Sequence, residues 1–501
     1  MNHVDFHLFF VSLNPETENM KPVMNQKKIL LATALLCSSI AMHAQRAGGI
    51  SADMLQKIER MQPSTQSSKG IFNALASNNI DNLAQNYANS GAIDDYFSIE
   101  TPKQSIHDQK SSGRCWMFSG FNVLRANFAK QHNDTITVEF SHAYLFFYDQ
   151  LEKANLMLQG VIDNASKPLE DTRMQFFFKN PINDGGTFCG VADLAEKYGL
   201  VPMSVMPETY SSNNTRLMAR MVASKLREYG LELRSMVHAG KNKRTIEARK
   251  TEMLSTIYNI LSMTIGKPVE QFTYAFKNKE GKTVTPLKTY TPREFYNATV
   301  GHPLNGTFIM LMNDPRRPYH QTYEVEYDRH TYDGHNWKYL NLPMNEIAEL
   351  AIASLKDGHK MYSSYDVGKQ FDRKRGYLDI DNYDYGSLFG TTFNMSKADR
   401  IATFESGSTH AMTLTAVDLD AKGMPLKWKV ENSWGASAGH QGCLIMTNKW
   451  FNEYMFRLVV HKKYVPAKLL KEYEQKKIHP QWVEAQHPHL SIAFEVHHRP
   501  L

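Results

Sequence analysis

Apolar residues with helical spacing begin at one cysteine and continue along the chain. Cys115 lies just after the stretch "SSG" and directly before a tryptophan. The apolar residues that follow it are four, three and four positions apart: Met117, Phe121, Leu124 and Phe128. Such spacing is typical of one face of an amphipathic helix, and serine and glycine upstream favour turns and helix caps. The pattern predicts a helix that begins at Cys115, where the positive helix end is expected to lower the thiol pKa.

The composition indicates a large globular protein. The chain has 501 residues, of which 42% are hydrophobic, and this length predicts two or three domain-sized units. There are 57 Lys and Arg against 51 Asp and Glu, which gives a net charge of +6. The densest basic run, "KNKRTIEARK" at 241–250, also contains a glutamate and is typical of a solvated helical face. Nucleic-acid binding is therefore a weak alternative, because no zinc-finger spacing or RNA-binding motif accompanies the charge.

Residues 1–44 are predicted to be an N-terminal extension and signal peptide. The stretch "KKILLATALLCSSIAMHA" has two lysines, an apolar run and small residues ending at Ala44, which is the layout of a secretory signal, and translation is expected to start at Met24. Anchoring as a lipoprotein through Cys37 is less favoured, because a leucine precedes it where a small residue is expected. No later segment has the roughly 18 consecutive apolar residues of a membrane span. We expect an exported protein, periplasmic or secreted.

Three cysteines lie beyond this signal, too few for a disulfide framework. Because their number is odd, at least one thiol is expected to be free. Isolated cysteines are usually small buried hydrophobic residues, and this is the interpretation for Cys189 and Cys443. The position of Cys115 at a predicted helix start makes it the candidate nucleophile.

A nucleophilic thiol needs a base, a group that orients the base and a donor for an oxyanion, and the sequence offers all three. His410 starts a β-branched apolar run that predicts a strand, and Asn432 ends the next strand. If these strands are neighbours, Asn432 can fix the tautomer of His410 and leave the other ring nitrogen for the sulfur of Cys115. Trp434 could shield that hydrogen bond from water. Gln109 lies six residues before the cysteine. Its amide and the backbone N–H of Cys115 can both point at the carbonyl oxygen of the substrate.

These segments resemble papain-type cysteine peptidases, specifically the branch of bleomycin hydrolase and aminopeptidase C. The resemblance extends over roughly residues 70–485. The segments that carry it are "QKSSGRCW", "THAMTLTAV", "VENSWG", "PINDGGTFCGVADLAEKYGLVP", "LMNDPRRPYHQTYEVEY", "SLKDGHKMYSSYDVGKQF" and "LIMTNKWFNEYMFRLVVHKKYVP".

The resemblance implies an α+β, papain-like fold with a cleft between two halves. The helical half begins at Cys115, and the β-rich half contains His410 and Asn432. Residues 45–501 would form one peptidase domain that contains a large inserted subdomain, roughly 205–400. No repeat or low-complexity linker divides the chain, so we expect the subdomains to pack into one body.

Local patterns predict the main elements of the insertion and its neighbours. Apolar periodicity indicates helices within 215–265 and at 345–358. The run "TFIMLMND" at 307–314 predicts a strand.

The resemblance also implies roles for individual residues. Cys115 would be the nucleophile, His410 the general base and then acid, Asn432 the residue that orients it, and Gln109 the oxyanion donor. Two glycines match positions along which such enzymes bind an extended peptide: Gly185 and Gly186. The resemblance implies that peptides are the substrates. It also implies a homohexamer whose active sites face an internal chamber. Neither a cofactor nor a metal is predicted.

The C-terminus departs from the family pattern. Relatives usually end shortly after a segment like "KIHPQW" at 477–482, and their terminal carboxylate holds the substrate amine. Here a tail, 483–501, continues beyond it. The tail predicts either self-trimming or weaker exopeptidase character. Its histidines are interpreted as solvated side chains, not as a metal site.

Other functions remain as alternatives. An endopeptidase, or an acyl or peptidyl transferase, would use the same triad, because an amine can replace water in attacking an acyl-enzyme. A papain-like scaffold that binds nucleic acid or another ligand without catalysis is less favoured, since every predicted catalytic residue is present.

Overall fold

A computed structural model describes residues 48–62 and 66–475, so the predicted signal peptide and C-terminal tail lie outside the described residues. The chain forms two compact units, which meet in sequence between Asn79 and Ile80. The first contains helices α1 (Ala52–Arg60) and α2 (Gln66–Ser77). The side chain of Ser51 caps α1 by accepting a hydrogen bond from the Met54 amide at 2.9 Å.

The second unit carries all the candidate site residues and contains the remaining helices. These are α3 (Ile80–Ala84), α4 (Cys115–Gln131), α5 (His142–Asp163), α6 (Thr172–Lys179), α7 (Phe188–Tyr198), α8 (Tyr210–Asn213), α9 (Arg216–His238), α10 (Lys243–Thr264), α11 (Pro292–Thr299), α12 (Met344–Lys356), α13 (Tyr385–Phe389), α14 (Lys397–Ala402), α15 (Asn448–Tyr454) and α16 (Ala467–Glu474). Short 3₁₀ turns cover Tyr87–Asn89 and Lys462–Tyr464. Among the described residues, no helix has the length and apolar composition required to cross a membrane.

The strands of this unit are β1 (Ile99–Glu100), β2 (Ile136–Thr137), β3 (Phe272–Tyr274), β4 (Lys277–Asn278), β5 (Lys288–Tyr290), β6 (Phe308–Met312), β7 (Gln321–Val325), β8 (Trp337–Asn341), β9 (Met361–Tyr365), β10 (Phe371–Asp372), β11 (Tyr377–Leu378), β12 (His410–Leu419), β13 (Pro425–Glu431), β14 (Cys443–Thr447) and β15 (Met455–His461).

Eleven of the described strands form one sheet, in the order β10-β11-β14-β13-β12-β9-β15-β6-β8-β7, with β1 on β12. Two neighbouring pairs are parallel, β6 with β8 and β11 with β14, and the others are antiparallel. Two further pairs, β2-β4 and β3-β5, are separate ribbons.

Strand β12 is buried on both faces, which explains its apolar sequence. Ala411 joins the core of the helical side, where Cys115 also lies. Met412 and Leu414 point into a second core, shared with α12 and α15. Side chains alternate across a strand, so a strand with a core on each face carries a nearly continuous apolar run.

Helix α4 is the central helix of the helical side. Thirteen of its 17 residues are buried. It lies on β12, where Asn122 donates a hydrogen bond to the Thr413 hydroxyl at 3.3 Å. The predicted start of this helix at Cys115 is confirmed. Helices α9 and α10 confirm the prediction for 215–265, and α12 and β6 confirm the other two predicted elements.

The predicted insertion, 205–400, lies within the second unit, which runs without division from Ile80. It contributes six strands to the main sheet, β6 to β11. Strand β9 lies between β12 and β15 and pairs with both.

Buried ion pairs link the helical side to the sheet. The guanidinium of Arg125 on α4 lies 3.3 Å from the carboxylate of Glu431 on β13. The same carboxylate is 2.8 Å from the ammonium of Lys360. All three side chains are buried, and removing one partner of such a group leaves an uncompensated charge.

Helices α5 and α6 pack closely where Gly160 of α5 faces Phe177 of α6. A Cβ at Gly160 would lie 2.2 Å from Cζ of Phe177. We expect Gly160→Ala to destabilise the protein, because overpacking costs about 1–3 kcal/mol while alanine gains only about 1 kcal/mol of helix propensity. Thermal unfolding should show a lower midpoint.

Gly70→Ala in α2 is the matched control, since a Cβ there meets nothing within 4 Å. It should not lower the midpoint. An unchanged midpoint for Gly160→Ala would contradict the packing argument.

Candidate active site

Cys115 is the first residue of α4, but the helix is capped differently from the sequence prediction. The N-cap residue is Arg114, and no side chain caps the helix. Ser112 instead donates its hydroxyl proton to the Gln109 carbonyl at 2.6 Å. The buried guanidinium of Arg114 is held by the carboxylate of Glu208 at 2.9 Å. The helix start is therefore fixed by tertiary contacts of its N-cap residue.

The sulfur of Cys115 faces strand β12. It accepts a hydrogen bond from the backbone N–H of Ala411 at 3.4 Å. Burial raises the pKa of this thiol to about 11, although backbone N–H groups of Ala411 and Trp116 act in the opposite direction. The expected lowering at a helix N-terminus is thus wrong for the free protein, because removal of water from the thiolate outweighs the helix end.

His410 and Asn432 form a buried pair. The Nε2 atom of His410 lies 2.8 Å from Oδ1 of Asn432, and Oδ1 also accepts the backbone N–H of Ser433 at 2.8 Å. Since Oδ1 is therefore an acceptor, Nε2 carries a proton, and Nδ1 is the basic nitrogen of the neutral ring. Trp434 stacks on this imidazole with ring centroids 4.8 Å apart.

Burial also shifts the pKa of the His410 imidazole. Loss of water lowers its pKa to about 4, while the hydrogen bond to Asn432 acts in the opposite direction. The Cys115 thiol and the His410 imidazole of the free protein are therefore both neutral at neutral pH. His410 precedes Ala411, the donor to the sulfur. The structure thus places His410 against Asn432, and Cys115 against the residue that follows His410.

Gln109 is held at both ends of its amide. Its Nε2 donates to the Ser112 carbonyl at 2.5 Å, and its Oε1 accepts the Ser433 hydroxyl at 2.6 Å. The Gln109 backbone N–H donates to the Ser433 carbonyl at 2.8 Å. These contacts fix the amide within the loop that precedes Cys115, and Nε2 keeps a second N–H.

One member of the predicted glycine pair, Gly186, packs against the residue that follows Cys115. A Cβ at Gly186 would be 2.8 Å from Trp116 and 2.1 Å from His330. The Gly185 carbonyl accepts the Lys153 ammonium at 2.6 Å. Packing therefore demands glycine at 186 independently of any ligand.

Four buried residues beside the site were not anticipated: Asp149, Lys153, Asp184 and His330. Asp149 and Lys153 are four apart on α5, a spacing that could have predicted their ion pair. No sequence signal connects His330 to them. Asp184 accepts the Gly113 N–H at 2.6 Å, and burial raises the pKa of its carboxyl group.

An open cavity of 440 Å³ lies beside Trp434. Its walls come from the loop before Cys115 and from the α8 region: Asp108, Lys110, Ser111, Tyr210, Asn213 and Asn214. Its two charged residues pair with each other, with the Lys110 ammonium 2.6 Å from the Asp108 carboxylate. The lining is therefore polar without an unbalanced charge.

The chain is similar to known proteins over most of its length. Residues 49–484 match the Peptidase C1-like family. The chain is 37% identical to aminopeptidase C of Lactobacillus delbrueckii subsp. lactis, covering 84% of this chain and 94% of that protein. It is 41% identical to bleomycin hydrolase of Homo sapiens, covering 74% and 83%.

A solved structure has the same fold. The crystal structure of PepW from Lactobacillus rhamnosis superposes with a TM-score of 0.81 at 34% identity, covering 87% of this chain and 98% of that chain. With a sulfur, an imidazole and an amide assembled between helix and sheet, the chain belongs to the Peptidase C1-like family, in the branch of aminopeptidase C and bleomycin hydrolase, and has the papain-like α+β fold.

Proposed function

We propose that the protein is a cysteine aminopeptidase that hydrolyses peptides through an acyl-enzyme on Cys115. The observation that carries this proposal is the Ala411 N–H on the Cys115 sulfur, next to the His410–Asn432 pair. The names of its relatives, aminopeptidase C and bleomycin hydrolase, support the same class of activity.

In the first step, the basic Nδ1 of His410 takes the thiol proton as the sulfur of Cys115 attacks the substrate carbonyl carbon. Because burial disfavours both charged groups separately, proton transfer accompanies the attack. The carbonyl oxygen becomes an oxyanion, which the Cys115 backbone N–H and the Gln109 amide stabilise. The N–H groups of a first helical turn have no partner within the helix, so this donor is available.

The tetrahedral intermediate then collapses. The C–N bond breaks, and Nδ1–H of His410 gives its proton to the leaving amine. Water attacks the remaining thioester while His410 accepts a proton from it. The carboxylic acid leaves, and the sulfur of Cys115 recovers its proton.

The substrate would lie across Gly185 and Gly186, with its leaving part near Trp434. Since Trp434 stacks on the imidazole that protonates the leaving amine, the adjoining cavity belongs to that side of the scissile bond. An amine bound in this polar cavity could attack the acyl-enzyme by the reverse of the leaving step. This observation keeps acyl transfer as a second candidate.

Export and assembly remain proposals from the sequence. Residues 1–44 would direct export to the periplasm or outside the cell, and six copies would form a hexamer. Nucleic-acid binding stays the weakest alternative. None of these proposals alters the chemistry at Cys115.

Peptides with free and blocked N-termini test the proposal directly. We expect hydrolysis of the free-amine series, with release of the first residue, and at least tenfold slower hydrolysis of the acetylated series. Cys115→Ala should abolish both activities, because no other group supplies the nucleophile. Mass spectrometry of products, with and without added glycinamide, separates hydrolysis from transfer. Equal cleavage of blocked and free peptides would instead indicate an endopeptidase.

The acid limit of activity should reflect His410. Its lowered pKa, about 4 against an ordinary 6.5, means that the base is neutral above pH 4 and becomes protonated as the pH falls through that value. We expect kcat/KM, which reports the free enzyme, to be maintained down to about pH 5 and lost near pH 4. Circular dichroism over the same range controls for acid unfolding. A loss of kcat/KM near pH 6.5 would contradict the interpretation of His410 as a buried, neutral base.

Gln109→Glu tests the oxyanion donor. The substitution replaces the donating amide by a carboxylate, so kcat should fall on the order of 100- to 1,000-fold, the usual cost of losing such a donor. Ser433→Ala is the matched control, because it removes only the hydroxyl that holds Oε1 of Gln109. Its loss should stay below roughly tenfold, the worth of one neutral hydrogen bond. Similar losses in both variants would argue against donation by Gln109.

A further inference from the structure

We propose that Asp149, Lys153 and His330 form a positioning cluster that holds the main chain of residues 183–187 in place for an extended peptide. This inference rests on the proposed function, because it assigns a support to the segment that would bind the substrate. None of the three side chains is placed to react with the substrate, and they act through the loop.

The cluster and its neighbours engage successive main-chain groups of the loop. The Lys153 ammonium donates to the carbonyls of Asn183 at 3.0 Å and Gly185 at 2.6 Å. The carbonyl between them, that of Asp184, accepts the indole N–H of Trp116 at 2.8 Å. Three consecutive carbonyls are therefore satisfied from beneath the loop.

The other main-chain groups of the glycines are left unused. Within residues 48–62 and 66–475, the N–H groups of Gly185 and Gly186 and the Gly186 carbonyl make no hydrogen bond. These are the groups that an extended peptide needs, since main-chain pairing requires one free donor or acceptor for each bond formed.

The charges of the cluster balance each other. The buried carboxylate of Asp149 lies 3.0 Å from the Lys153 ammonium and 2.5 Å from Nδ1 of His330. Although burial acts to raise the Asp149 pKa, these two neighbours lower it, so the carboxylate stays ionised. The Thr187 N–H donates to Nε2 of His330 at 3.3 Å. The imidazole proton therefore lies on Nδ1 and points to Asp149.

His330 couples the loop to the nucleophile helix. Its ring centroid lies 4.5 Å from that of Trp116, the residue after Cys115. The same ring occupies the space of a Cβ at both Gly186 and Gly190, at 2.1 and 2.3 Å. Because His330 lies between β7 and β8, the inserted region supplies the floor of the proposed peptide site.

The polarity of the cluster argues for positioning and not for stability alone. A buried ion pair contributes little net stability compared with apolar residues of the same size. Its contacts, however, are directional, and those of Lys153 and His330 outside the cluster include the main chain of Asn183, Gly185 and Thr187. Directional contacts fix the loop in one arrangement.

The test uses the double variant Asp149→Asn/Lys153→Met, which removes both charges and keeps the net charge. Hydrogen–deuterium exchange of the Thr187 amide, which donates to His330, should accelerate at least tenfold, because Asp149 no longer holds the imidazole. KM for a free-amine peptide should rise about tenfold, whereas kcat should stay within twofold, the result expected for lost ground-state and transition-state binding alike. Alkylation of Cys115 by iodoacetamide should also stay within twofold.

The matched control is Glu152→Gln/Lys197→Met. This variant also removes an ion pair made by α5, in which the Lys197 ammonium lies 2.7 Å from the Glu152 carboxylate. The second partner of Lys197 is Asp333, which lies outside the loop. It should leave KM and the exchange of the loop unchanged within twofold. If the first double variant does not fold, His330→Phe retains an aromatic ring and loses both polar contacts, and it should change exchange and KM in the same direction.

Unchanged loop exchange and KM in the folded variant would overturn the proposal. Equal losses in kcat and in Cys115 alkylation would also overturn it, because the cluster would then support the nucleophile and not the loop. A wild-type protein that hydrolyses no peptide would refute the proposed function, while the exchange measurement would still decide whether the cluster positions the loop.

Discussion

The site depends on the packing of helix α4 against strand β12. This contact brings a sulfur and a backbone N–H together across 296 positions of sequence, from Cys115 to Ala411. Further along α4, Arg125 pairs with Glu431 of the sheet, and Lys360 pairs with the same carboxylate. These buried pairs hold the helix against the sheet. Helix α4 supplies Cys115 and strand β12 supplies His410, so the proposed site exists only where the two elements meet.

Exclusion of water gives the site its electrostatic character. The same burial that raises the pKa of Cys115 lowers that of His410, so the resting pair is neutral. In the proposed mechanism, charge develops only when a substrate carbonyl arrives. Ser433 and Ser112 already hold the amide of Gln109, so the proposed donor needs little reorganisation as the oxyanion forms.

Local patterns predicted the elements that carry the triad, because helix and strand periodicity are properties of neighbouring residues. The start of α4 at Cys115 is an example. The cap at Arg114 and the direction of the thiol pKa were not predictable, because both depend on burial by distant segments. The cluster beneath Gly185 and Gly186 was not predictable either, since Lys153 and His330 are 177 positions apart and both contact Asp149 only in the folded chain.

The place of β9 limits which residues the protein can lose. This strand lies within 205–400, the predicted insertion, and it pairs with β12 on one side and β15 on the other. Deletion of residues 205–400 would separate β15 from β12 and leave each strand with an open edge prone to self-association. The segment around β9 therefore cannot be trimmed from the protein without dividing the sheet that carries His410.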